Sequence, residues 1–115
     1  MDLESLRKFC LSLPGVTEDI KWGNDLVFSV GDKMFCVASL QPPLQYSFKV
    51  RDEEFEELSN SEGFIPAPYM ARAKWVLLKN PTRIKKNQSE QYIRQSYEMV
   101  KMKLTKKMRA QLGIQ

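Results

Sequence analysis

A chain of 115 residues with 43% hydrophobic content has room for one packed core and none for a second domain, so residues 1–115 are read as a single domain. It has no histidine, and its two cysteines stand outside any CxxC spacing, which removes the commonest general base, the commonest transition-metal ligand and a CxxC redox pair together. The net charge of +4 is unevenly spread: residues 1–63 hold six Lys/Arg against twelve Asp/Glu and residues 64–115 twelve against two, an imbalance that hints at a polyanionic partner.

Met1-Asp2-Leu3-Glu4-Ser5-Leu6-Arg7-Lys8 mixes charges among its leucines and lacks the basic-then-apolar order of a secretory leader. No apolar run is long enough to span a bilayer, so a cytoplasmic location is expected, with Cys10 and Cys36 as buried thiols. Leu3, Leu6, Cys10 and Leu13, with Phe9 beside them, recur at helical spacing, and Pro14-Gly15 ends that helix. A turn rich in Thr, Glu and Asp is expected next. Asp25–Val30 then reads as a strand, Gly31-Asp32 as a hairpin turn, and Met34–Leu40 as the returning strand before Pro42-Pro43 breaks the chain.

Leu44, Tyr46, Phe48 and Val50 alternate with Gln45, Ser47, Lys49 and Arg51, the pattern of a strand with one face on the core and the other toward solvent or a partner. Asp52-Glu53-Glu54 opens a short helix, with Phe55 and Leu58 facing inward and an end by Gly63. The prolines of Ile65-Pro66-Ala67-Pro68-Tyr69 exclude a central strand, whereas Lys74–Lys79 reads as one, with Trp75 in the core. Gln88–Leu104 is the longest predicted helix, with Ile93, Ser96, Tyr97, Val100 and Leu104 as its buried stripe. Too few residues separate the strands for parallel crossovers. The expected class is α+β, a two-layer domain with an antiparallel sheet packed against N- and C-terminal helices.

No GxSxG, phosphate loop or dinucleotide fingerprint is present and no acid and base are visibly paired, so no catalytic residue, cofactor or metal site is assigned and a non-enzymatic role is expected. The acidic run Asp52–Glu57 lacks the glycine and alternating ligands of a calcium loop and is read as a solvated helix start. Basic residues crowd two stretches: Lys79, Arg83, Lys85 and Lys86 around a loop, and Lys101, Lys103, Lys106, Lys107 and Arg109 near the end. Trp22, beside Gly23 in a turn, is the candidate for an exposed aromatic ring.

Leu13-Pro14-Gly15-Val16-Thr17-Glu18, Trp22-Gly23, Gly31-Asp32-Lys33-Met34-Phe35, Pro68-Tyr69, Lys74-Trp75-Val76, Ser96-Tyr97 and Lys106-Lys107 occur in this order over nearly the whole chain. Together they resemble the MmcQ/YjbR family, although many of its members place a proline where Lys21 precedes Trp22-Gly23 here. The resemblance implies a compact fold related to frataxin and its bacterial counterpart (CyaY-like), and a DNA-binding label. With the basic stretches it yields a first expectation, backbone-dominated DNA binding. Lys85, Lys86, Lys103, Lys106 and Lys107 would meet phosphates, and Arg83 would reach into a groove. The alternative is a module for a protein partner or small ligand, with its acidic and basic halves presenting opposite surfaces.

Overall fold

Asp2 accepts a hydrogen bond from the Ser5 N–H at 2.8 Å and so starts α1 (Leu3–Ser12), which buries Leu6 and Cys10. In the computed structural model, which describes residues Met1–Gln115, the chain continues through β1 (Val16–Lys21), β2 (Asp25–Val30), β3 (Lys33–Ser39) and β4 (Tyr46–Lys49). Then follow α2 (Asp52–Ser59), β5 (Phe64–Pro66), β6 (Trp75–Leu78), α3 (Lys86–Lys101) and α4 (Lys106–Gln111). All six strands join one antiparallel sheet in the order β1-β2-β3-β4-β6-β5. The architecture is α+β. One sheet face is covered by helices, with α1 against β1, α3 across β2–β4 and α2 over β5 and β6.

Three elements depart from the sequence reading. Val16–Lys21, expected as a turn, is the edge strand β1, antiparallel to β2. Its acidic composition hides the alternation, because Glu18 takes an inward-side position and is met there by Arg7 of α1 at 2.8 Å. The final predicted helix stops at Lys101, and Thr105 caps a separate α4 by accepting from the Met108 N–H. Ser47, expected at a solvent-facing position, is 5% exposed, because the segment after β5 folds back over that side of the sheet.

On the helix-covered side, Leu26, Phe28, Val30, Cys36, Ala38, Tyr46, Phe48, Val50, Val76 and Leu78 pack with Leu6, Cys10, Ile93, Tyr97, Val100 and Leu104. A bulge sharpens this packing. Phe28 pairs with Cys36 but Ser29 with Met34, so Phe35 is the extra residue and joins Cys36 in the core. Phe35 then meets Tyr97 edge-on with ring centres 5.4 Å apart. Cys10 and Cys36 are fully buried free thiols, and contact with Cys10 together with burial pushes the Cys36 thiol well above its ordinary range.

Hydroxyls fasten α3 to this face. Ser96 accepts from the Lys49 N–H at 3.0 Å and donates to the Phe35 carbonyl at 2.6 Å. Residues 35 and 49 are the next hydrogen-bonding pair in the register set by Ser39 with Gln45 and Val37 with Ser47, so one side chain stands in for a missing rung where β3 and β4 part. The Tyr46 and Ser89 hydroxyls meet at 2.6 Å, and burial pushes the Tyr46 phenol up to about 12. The Tyr97 hydroxyl donates to the Pro14 carbonyl at the turn after α1.

Candidate functional site

The residues selected from sequence as phosphate contacts fall into two groups at opposite ends of α3. Lys85 and Lys86 stand at its start and Lys103, Lys106 and Lys107 lie beyond its end, separated by about 24 Å of helix at 1.5 Å per residue. Sequence order gave no warning of this, since both groups belong to the same basic half. Arg83 belongs with the first group, but it is ion-paired with Glu62, and its stem packs over Gly63 so closely that a Cβ there would sit 2.8 Å from the Arg83 Cγ. Lys101 is also engaged, 2.9 Å from Glu98 and over the Tyr97 ring.

The second group gains two members that the sequence reading left out. Lys49 ends β4, and its ammonium is held at the Ala73 carbonyl. Burial lowers its pKa, and nearby Lys103 and Lys74 lower it further against the opposing pull of Asp52. Lys49 therefore lies within electrostatic reach of Lys103 and Lys74, the Lys74 ammonium itself resting 5.0 Å over the Phe55 ring, and Lys106 and Lys107 follow Lys103 at the start of α4. The signal for Lys49 was its place on the polar side of an alternating strand. Lys74 gave none beyond its left-handed backbone, φ 64°, which only the fold reveals.

A second feature lies on the sheet face that no helix covers. Val27, Val37 and Trp75 pack there with Ala67, and Met34, Met70 and Leu77 border them. Trp75 is buried as expected, but in this smaller cluster. Beside it opens a groove of about 610 Å³, lined by apolar Met34, Val37 and Leu77 and by polar Asp25, Gln45 and Ser47. Trp22 and Tyr69 form part of its wall. Trp22 remains 67% exposed and Tyr69 fully so, and both adopt left-handed backbone, φ 54° and 67°, rare for large side chains.

The YjbR family model matches residues 11–99. The chain belongs to the YjbR family. The crystal structure of Deinococcus radiodurans protein DR2400, family-model domain DUF419, is similar with a TM-score of 0.87 and 29% identity over 98% of this chain and 88% of that one. A Pseudomonas syringae protein of known crystal structure shares the fold, with a TM-score of 0.73 and 16% identity over 87% of this chain and 99% of that one. Comparison with curated proteins gave no match.

In this YjbR-family chain, the segments that carried the resemblance sort by what they do in the structure. Pro14, Ser96 and Tyr97 fasten α3, and Gly31 supplies the turn on which Leu104 and Met108 rest. Trp22-Gly23 and Pro68-Tyr69 instead shape the groove. The acidic run 52–57 supplies the first turns of α2, where Glu54 accepts from the Arg51 N–H and from Gln95 of α3. No helix is long and apolar enough to cross a membrane.

Proposed function

We propose that this chain is a non-enzymatic, cytoplasmic DNA-binding protein that holds duplex DNA through its phosphates, using the cationic end built by Lys49, Lys74, Lys103, Lys106 and Lys107. The reading is supported by the placement of Lys103, Lys106 and Lys107 within five residues between the end of α3 and the start of α4, with Lys49 in electrostatic reach of Lys103, because like charges near one another cost stability that a bound anion offsets. Lys85 and Lys86 lie too far away to share one short contact, at a distance well beyond the Debye length of about 8 Å at physiological salt. Arg83, held by Glu62, is assigned no place in a groove.

Fluorescence anisotropy with a labelled duplex at 50 and 200 mM salt tests the reading. Three phosphate contacts correspond to roughly a 40-fold loss of affinity across that range. Reversing Lys103, Lys106 and Lys107 to Glu is expected to abolish binding, while Lys85→Glu with Lys86→Glu changes it by less than about threefold. No binding at 50 mM salt, or equal losses from the two sets, overturns the proposal. A second reading, a ligand-binding module, is favoured by one observation, the groove flanked by Trp22 and Tyr69.

A further inference from the structure

The open sheet face sorts its side chains into rows, because cross-strand partners lie side by side. One row runs from Asp25 of β2 to its partner Ser39 of β3 and on to Gln45, just before β4. The next holds Val27, Val37, Ser47 and Leu77. The groove is therefore polar along one side and apolar across its floor, and two methionines, Met34 and Met70, give it adaptable walls.

Asp25 sets the sign of what fits. It is half-buried at the groove, yet it enters none of the six ion pairs of the chain. Lys21, its partner across the ladder on β1, is exposed and stays outside ion-pair distance. The faces of exposed Trp and Tyr rings also attract cations. Holding both rings in left-handed backbone costs stability, and such strain collects where a side chain is kept in place for a ligand. The carboxylate, the two rings and the apolar floor select one chemistry.

We propose that this groove is a binding site for a small organic amine, with its ammonium at Asp25 and between the Trp22 and Tyr69 rings, and its apolar body on Val37, Leu77, Met34 and Met70. The inference rests on the ligand-binding reading and is independent of the cationic end, which lies at the other end of β4. Gln45 and Ser47 supply hydrogen-bonding groups for a polar substituent, and Gln45 engages Ser39 only through its backbone, its N–H donating to the Ser39 hydroxyl and its carbonyl accepting from the Ser39 N–H, which leaves its side-chain amide free. An anionic ligand is disfavoured by the same carboxylate.

Three probes that share a phenylethyl body decide the matter: phenethylamine, 2-phenylethanol and 3-phenylpropanoate, each titrated into the full ¹⁵N-labelled chain and followed by amide and indole N–H shifts. The amine is expected to move the Asp25 and Ser39 amides and the Trp22 indole N–H, and to bind about fivefold tighter than the alcohol, as an exposed carboxylate–ammonium pair allows. Asp25→Asn should erase that preference while leaving the spectrum folded, and Trp22→Ala should weaken both ligands. Amine and alcohol binding equally in the groove, or the acid binding more tightly, overturns the amine assignment and leaves ligand binding standing. No shifts at the groove with any probe overturns both.

Discussion

The two faces of one sheet answer to different demands. The helix-covered face joins residues from all six strands and all four helices, or from the segments directly beside them, into a continuous core, with aromatic rings meeting at defined angles. The other face has only four buried apolar residues, beneath a short chain segment, and leaves two large rings in solvent. Burying apolar surface is the main source of folding energy, so the first face carries stability and the second is free to hold strain and unpaired charge. Stability is thus concentrated on one side of the strands, and the two sides can belong to neighbouring residues such as the fully buried Phe48 and the half-buried Lys49.

That division breaks if substitutions on the two faces cost alike. The largest difference is expected at adjacent positions of β4. Phe48→Ala should cost about 3–5 kcal/mol in urea unfolding, because Phe48 is fully buried and stacked on Tyr92 at 5.6 Å. Lys49→Ala should cost about 1 kcal/mol or less, since loss of its bond to Ala73 is partly offset by relief of repulsion from Lys103 and Lys74. Comparable losses would mean that the open face is as essential to the core as the covered one.

A smaller contrast lies between two buried serines. Ser96→Ala leaves the Phe35 carbonyl and the Lys49 N–H without their shared partner and should cost roughly 2–4 kcal/mol, with faster hydrogen exchange at the Lys49 amide. Ser47→Ala, on the open face, should stay within about 0.5 kcal/mol. An unchanged Lys49 exchange rate in the Ser96 variant would show that the strands close the gap themselves.

The smallest stability effect sharpens the comparison most. Trp22→Gly removes a ring with 67% exposure and gives the left-handed backbone to the one residue that adopts it freely, so stability should be unchanged or rise by up to about 1 kcal/mol in thermal unfolding. A loss above about 1 kcal/mol would place Trp22 among the groups that hold the fold and remove the argument from strain.

Much of the covered face was legible in the sequence. The spacing of Leu6, Cys10 and Leu13 and the alternation of Tyr46, Phe48 and Val50 both report burial on one side, which periodicity measures directly. β1 was not legible, because an edge strand has one solvated rim and Glu18 takes an inward-side position only by virtue of Arg7, eleven residues away in sequence. The bulge at Phe35 was equally hidden, since one extra residue in a strand leaves composition unchanged. At the sites, Trp22 stood out through its place in a turn. The groove did not, because Asp25, Gln45 and Tyr69 are brought together only by strand pairing and by the fold-back after β5. The split of the basic residues failed for a related reason: a helix of sixteen residues keeps its ends close in sequence and far apart in space.

The two rims of the sheet bear on how copies of this chain behave when crowded. A free strand rim invites another molecule to continue the hydrogen-bonded ladder, the route by which sheets aggregate. Here β5 offers only three residues and ends on Pro66, which has no N–H to donate, while β1 places Glu18, Asp19 and Lys21 along the opposite rim. Neither rim offers a long apolar template. The acidic composition that concealed β1 in the sequence thus acts as a guard against chain-to-chain growth of the sheet.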